Sequence, residues 1–230
     1  MHYNHVSFDL WGTLIKPNPL YKEKRLQYLS KQHNQQDKTD EELAALIKAA
    51  EVIIDDVGLA TGRSLHVHQI IAILLGTIGV KVASYSPRDL ETIHQDLSVL
   101  FRDYPPQVYD NTVEVLTMFK DAGITMNILS NTGFILGSEI RDFLESRNML
   151  DFFDFTLFSD EMVYCKPSQI VFQRMIELAT LHRKTAVLKV LHVGDHEFLD
   201  YRPSILAGCE GFLINSNDKN ILNAYNYVFG

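Results

Sequence analysis

Short apolar runs alternate with longer stretches of helical spacing through most of this chain. His5-Val6-Ser7-Phe8 reads as a short buried strand. A mostly apolar run over residues 124–129 reads as another, entered through Asp121-Ala122-Gly123, a helix stop. Residues 155–158 and 190–193 predict two more strands, and residues 211–215 a last one. Helical spacing over 113–121, 134–147 and 168–182 fills the intervals. Strands alternating with helices predict an α/β fold with a doubly wound parallel sheet. Such sheets bind ligands beyond the carboxyl ends of their strands.

Residues 17–104 break this alternation. They read as helical throughout, between two proline-rich hinges, Lys16-Pro17-Asn18-Pro19 and Tyr104-Pro105-Pro106. Residues 21–32 predict a charged helix. Residues 40–56 carry Leu43, Leu46, Ile47, Ala50 and Ile54 at helical spacing. Residues 64–78 are mostly apolar. Ser86-Pro87 opens a further helix with Leu90, Ile93, Leu97, Leu100 and Phe101 on one face. The expected organisation is a core of residues 1–16 and 105–230 with an all-helical insert over 17–104.

Composition narrows the function classes. The chain has 230 residues, 46% of them hydrophobic, enough for a packed core. A net charge of −8 argues against a nucleic-acid backbone as partner, while leaving room for a small anionic substrate at a locally basic site. The longest apolar stretch, residues 70–82, is interrupted by Gly76, Thr77, Gly79 and Lys81, too short and broken to span a bilayer. Two cysteines, Cys165 and Cys209, form neither a disulfide framework nor a metal spacing, so a reducing, cytoplasmic setting is expected. The N-terminus runs straight into the first strand, with no signal peptide in the sequence. Oligomeric state is not legible.

Candidate chemistry collects at the predicted strand ends. Asp9 follows the first strand, and a carboxylate there can act as a nucleophile that forms a covalent intermediate. A small-residue turn, Gly12-Thr13, comes next. Ser130-Asn131-Thr132 ends the second strand. Lys166-Pro167 follows an acidic loop, Asp160-Glu161, with Pro167 expected at the first position of a helix. A cation at a helix start is unfavourable unless Asp9 and an anionic substrate compensate it. Asp195 and Asp200 end the Val190–Gly194 run, and oxygen ligands so placed suit Mg²⁺.

Asp9-Leu10-Trp11-Gly12-Thr13, Ser130, Lys166-Pro167 and Gly194-Asp195 with Asp200 occur in the order of the four motifs of the haloacid dehalogenase superfamily, which the chain resembles from Phe8 to Asp200. The resemblance implies Asp9 as nucleophile, with Ser130 and Lys166 as its catalytic partners. It implies Mg²⁺ held by Asp9, the Trp11 main-chain carbonyl, Asp195 and Asp200. Trp11, Gly12, Thr13, Asn131 and Thr132 are then expected to line the substrate site, and the helical insert to act as a cap that closes over it. Family phosphatases carry a second Asp as general acid and base where this chain has Trp11. Haloacid dehalogenases carry an aromatic residue there and need neither acid nor metal. They use an early cap arginine, for which Arg25 and Arg63 are the candidates here, and they lack the carboxylates that Asp195 and Asp200 supply. The expected function is Mg²⁺-dependent hydrolysis of a small phosphate ester. A 2-haloacid dehalogenase is the alternative, and a binding scaffold without efficient turnover a third.

Among other polar residues, His66 and His68 are expected on different faces of a helix, His192 buried, and His196 exposed as a spare acid–base group. Asp55-Asp56 reads as a solvated helix end, and Tyr225 and Tyr227 as packing residues.

Overall fold

The structure is a computed structural model that describes residues 3–34, 36–183, 189–214 and 220–230. The first strand, β1 (His5–Phe8), is buried along its whole length. A short second strand, β2 (Ile15–Lys16), leads into four helices: α1 (Pro19–His33), α2 (Asp40–Thr61), α3 (Val67–Thr77) and α4 (Pro87–Asp103). The chain returns through β3 (Gln107–Val108), antiparallel to β2, so the two connections to the helical segment run side by side. There follow α5 (Thr112–Asp121), β4 (Thr125–Ser130), α6 (Gly137–Ser146), β5 (Phe155–Phe158), the single turn α7 (Ser159–Met162) and α8 (Gln169–Arg183). The last elements are β6 (Val190–Gly194), a π-helical turn (Glu197–Tyr201), α9 (Arg202–Leu206), β7 (Glu210–Leu213) and α10 (Ile221–Phe229).

The main sheet has five strands in the order β5-β4-β1-β6-β7, and all four pairings are parallel. β1 lies at its centre, which puts Asp9 at the middle of the carboxyl edge. Parallel strands need apolar residues on both faces because helices cover both. Val6, Phe8, Ile128, Leu129, Leu191 and Val193 meet that demand, none more than 2% exposed. A second apolar cluster, built on Leu29, Leu43, Ile47, Leu74 and Leu97, lies within α1–α4. The helical segment thus packs on a core of its own.

The helix starts follow from capping chemistry. Asn18 caps α1 ahead of Pro19. Thr39 with Glu42, and Ser86 with Asp89, form capping boxes for α2 and α4. Several sequence expectations need correction. α2 runs on to Thr61 and ends at Gly62, whose φ of 64° suits a residue without Cβ. α3 begins only at Val67. Its N-cap is His66, whose Nδ1 accepts from the His68 amide, so His66 lies outside the helix and the two rings meet at 4.8 Å. α6 begins at Gly137, not Phe134, because the Asp160 carboxylate accepts from the Gly137 amide and fixes the helix start there. Asp160-Glu161 belong to a helical turn, not a loop. Pro167 is not the first residue of α8. It follows a cis peptide bond in a turn, and the helix starts at Gln169. The last strand starts at Glu210, and Asn215 lies outside the described residues. Tyr225 packs on Phe119, and Tyr227 meets Tyr3 and Phe212 while half its surface stays exposed.

Candidate active site

Four loops at the carboxyl edge of the sheet bring the candidate residues together. Asp9 is 6% exposed, and its amide donates to the Val193 carbonyl. The following turn closes on itself, with the Thr13, Leu14 and Ile15 amides all donating to the Leu10 carbonyl. Gly12 has a φ of 77°, and a Cβ placed there would fall 2.2 Å from Asp195 Oδ2. Glycine therefore permits both the turn and the approach of Asp195.

Lys166 is almost wholly buried, and its ammonium donates at 2.6 Å to Asp9 Oδ1 and at 2.6 Å to Asp200 Oδ1. Thr13 Oγ1 donates to Asp9 Oδ2 at 3.3 Å. Asp200 is held on every side. His192 Nε2 meets its Oδ1 at 3.2 Å, and the His196 amide donates to its Oδ2 at 3.1 Å. The π-helical turn orients it, with the Tyr201 amide donating to the His196 carbonyl five residues back. π turns are uncommon and concentrate at functional sites. Gly194 is obligatory beside it, since a Cβ there would sit 2.3 Å from the Asp200 carboxyl carbon.

Carboxylate oxygens of Asp9, Asp195 and Asp200 lie within 4.8 Å of one another. Asp9 and Asp200 are buried and Asp195 is exposed. Burial pushes the Asp9 pKa up to about 7, and Asp200 and Asp195 push the same way against the attraction of Lys166. Burial and the neighbouring Asp200 likewise raise Asp195. Burial works against ionised Asp200 too, but Lys166 and the His192 hydrogen bond outweigh it and hold that carboxyl well below its usual range. Burial works against charged Lys166, and the two carboxylates outweigh it. One cation among three carboxylates leaves negative charge uncompensated, and hard oxygen donors of this kind fit a cation such as Mg²⁺.

Two residues expected against substrate are engaged elsewhere. Asn131 Nδ2 donates to the Lys166 carbonyl at 3.0 Å, and its Oδ1 accepts from the Lys166 amide at 2.8 Å. Its visible work is to hold the Lys166 loop. Thr132 Oγ1 donates to Asp160 Oδ1 at 2.8 Å, which ties the loop after β4 to α7. Ser130 is buried at the strand end, with its Oγ 3.3 Å from the Asn131 carbonyl. His196 is exposed as expected, but its Nδ1 accepts from the Phe198 and Leu199 amides, which leaves only the other ring nitrogen for chemistry.

The helical segment reaches this edge. The Cys165 amide donates to the Gly62 carbonyl and the Ser64 amide to the Val163 carbonyl, each at 3.0 Å. Asp55, Arg63 and Ser64 line a small cleft together with Asn131, Thr132 and Lys166. Asp55 is exposed and stands on the cleft wall, and because α2 runs on to Thr61 it lies inside that helix, not at the helix end expected for Asp55-Asp56. Sequence reading missed this placement, as it missed the contact of His192 with Asp200. Asp55 is far in sequence from the loops it meets, and although His192 and Asp200 are only eight residues apart, no periodicity encodes their contact.

A parallel α/β sheet carries at its carboxyl edge a buried aspartate–lysine pair and two further aspartates. The family description "haloacid dehalogenase-like hydrolase" matches residues 3–208, and the chain belongs to that family. Haloacid dehalogenase-like hydrolase domain-containing protein 3 of Homo sapiens is 24% identical over 131 residues, 55% of this chain and 49% of that protein. Its Danio rerio counterpart is 25% identical over 112 residues, 49% of this chain and 43% of that protein. The chain thus spans about half the length of, or less than, these curated relatives. The fold matches the magnesium-bound HAD hydrolase YfnB of Bacillus subtilis with a TM-score of 0.73 at 16% identity, over all of both chains. It matches a HAD phosphatase of Thermococcus onnurineus at 0.70 and 19%, covering 100% of this chain and 99% of that one. It also matches a 2-haloacid dehalogenase of Pseudomonas syringae pv. Tomato at 0.63 and 17%, covering 95% and 89%.

Proposed function

We propose that this hydrolase cleaves small-molecule phosphate monoesters through Asp9, with Mg²⁺ as cofactor. One observation carries the reading: three carboxylates gather within 4.8 Å around a single lysine. That charge balance attracts a divalent cation and, once neutralised, a phosphate. It disfavours a bare carboxylate substrate. Magnesium in one structural neighbour and phosphatase activity in another point the same way.

Asp9, Asp195 and Asp200 would hold the ion, with the Trp11 carbonyl as a further ligand. When bound, Mg²⁺ supplies charge neutralisation at the phosphoryl oxygens. The chain's own groups do the rest. A carboxylate oxygen of Asp9 attacks phosphorus and the ester oxygen leaves; water then displaces Asp9. Lys166 and Ser130 stabilise negative charge on the phosphoryl oxygens. Asn131 positions Lys166 through its backbone. The helical segment 17–104 serves as a cap whose Asp55, Arg63 and Ser64 meet the substrate, an anionic small molecule. No helix among the described residues is long and apolar enough to cross a membrane. The two buried thiols, Cys165 and Cys209, accord with a reducing cytoplasmic setting.

Trp11 favours the second reading, a 2-haloacid dehalogenase, because an aromatic side chain offers no proton to a leaving group. Phosphate release from a panel of monoesters, with Mg²⁺ and with EDTA, separates the two. The phosphatase reading predicts Mg²⁺-dependent release that Asp9→Asn abolishes. Metal-independent halide release without phosphatase turnover would overturn it.

A further inference from the structure

Ser7 and His192 form a polar pair inside the sheet, where packing alone calls for apolar side chains. They face each other across β1 and β6, and neither is exposed to solvent. Ser7 Oγ and His192 Nδ1 lie 3.0 Å apart. The imidazole makes a T-shaped contact with Phe172 of α8, ring centres 5.2 Å apart. Side chains two apart on a strand share a face, so this pair lies one row below Asp9 and Gly194. Gly194 has no side chain, and the Asp200 carboxyl fills that place: a Cβ there would sit 2.3 Å from the carboxyl carbon. His192 thus reaches Asp200 from within the sheet, Nε2 to Oδ1 at 3.2 Å.

An ionised carboxylate offers about four acceptor positions. On Asp200 Oδ1, Lys166 Nζ at 2.6 Å and His192 Nε2 at 3.2 Å take both. On Oδ2, the His196 amide at 3.1 Å takes one. Among the described residues, acceptor capacity therefore remains on Oδ2 alone. The three donors differ in anchorage. The His196 amide belongs to the turn that carries Asp200 and moves with it. Lys166 reaches in from the loop ahead of α8. His192 sits on a strand paired on both sides, to β1 and β7. It is the one partner that ties the Asp200 carboxylate to the sheet.

The ring's proton is placed by its neighbours. Ionised Asp200 only accepts, so Nε2 donates. Burial pushes the His192 pKa down, so the ring is neutral and Nδ1 accepts from the Ser7 hydroxyl.

We propose that His192 is a positioning residue that aims Asp200: fixed by Ser7 with its proton on Nε2, it fills Oδ1 together with Lys166 and leaves Oδ2 to face the cation. The proposal rests on the Mg²⁺ reading of the site. Neither Ser7 nor His192 belongs to the four strand-end motifs. A carboxylate that ligates a metal is itself held by hydrogen bonds, and its aim is only as firm as the element those bonds come from.

The test is Mg²⁺ affinity by calorimetry on wild type, His192→Leu, His192→Gln and Ser7→Ala, with thermal unfolding in EDTA as a separate measure of folding. His192→Leu keeps bulk but loses the donor, so it should bind Mg²⁺ about 10- to 100-fold more weakly. His192→Gln carries an amide N–H that can stand in for Nε2–H, and should recover most of that loss. Ser7→Ala leaves the ring in place and should weaken binding about two- to tenfold, the worth of one hydrogen bond. A His192→Leu variant that unfolds earlier yet binds Mg²⁺ as wild type does would make the histidine a packing residue and overturn the proposal. So would equal weakening in His192→Gln and His192→Leu. Should His192→Leu not fold, Ser7→Ala decides, and wild-type affinity there overturns the proposal. Wild type that binds no Mg²⁺ would overturn the metal reading itself, and the proposal with it.

Discussion

Asn131 grips Lys166 at two points, its amide nitrogen on the carbonyl at 3.0 Å and its oxygen on the amide at 2.8 Å. The second motif loop thereby fixes the third. Lys166 in turn holds Asp9, so Asp9 is oriented through a chain of contacts that starts on a different strand. Asn131→Ala is expected to leave two backbone groups without partners. Leaving such groups unsatisfied costs about 1–3 kcal/mol. Thermal unfolding should show that loss, and kcat should fall with the loosened lysine. Unchanged turnover in a destabilised variant would show that the clamp serves stability alone.

Protonation of Asp9 should govern metal affinity. Burial pushes its pKa up to about 7 from the ordinary 3.8 of an aspartate. A raised carboxyl pKa means the folded state binds the extra proton between those values, so this group's contribution to stability falls as pH rises from about 4 to about 7. Mg²⁺ must displace that proton. Calorimetry should find affinity falling towards tenfold per pH unit below about pH 7 and levelling above it. The difference in metal-free stability between wild type and Asp9→Asn should shift against wild type over the same interval. A flat Mg²⁺ affinity from pH 5.5 to 8 would contradict the assignment.

Gly12 and Gly133 offer a matched pair. A Cβ on Gly12 would collide with the Asp195 carboxylate in a left-handed turn, whereas one on Gly133 meets nothing within 4 Å. Gly12→Ala should displace Asp195 and weaken Mg²⁺ binding by at least tenfold. Gly133→Ala should bind Mg²⁺ like wild type. Equal affinities in the two variants would remove Asp195 from the metal site.

The sheet was legible because period and punctuation encode it, and the four motifs because their residues and order resemble those of a known family. Apolar runs that end in Asp9, Ser130 and Asp195 need no long-range information. What escaped depends on side-chain contacts that no periodicity encodes. The start of α6 is set by Asp160, 23 residues away from Gly137. His192 serves Asp200 through a side chain buried in the sheet, where a strand histidine looks like any core residue. Arg25 was marked only through the family resemblance and Asp55 only as a solvated helix end, and the packing of their helices brings them to cavities. The Pro167 expectation failed because proline suits a turn as readily as a helix start.

Trp11→Asp restores a carboxyl at the position where the chain has an indole. It should raise turnover on alkyl phosphates more than on aryl phosphates, because a basic alkoxide gains most from proton donation. The comparison is Trp11→Asn, which makes a similar space without an acid. Equal alkyl phosphate rates in the two variants would show that the missing acid does not limit this enzyme.

The account turns on Mg²⁺-dependent phosphoryl transfer at Asp9. Its most direct test is one assay in four arms: 4-nitrophenyl phosphate and 2-chloropropionate, each with Mg²⁺ and with EDTA, run on wild type and on Asp9→Asn. The prediction is turnover in one arm alone, the aryl phosphate with Mg²⁺, and its loss in Asp9→Asn. Chloride release from 2-chloropropionate that persists in EDTA, with no phosphate released in any arm, would contradict the account.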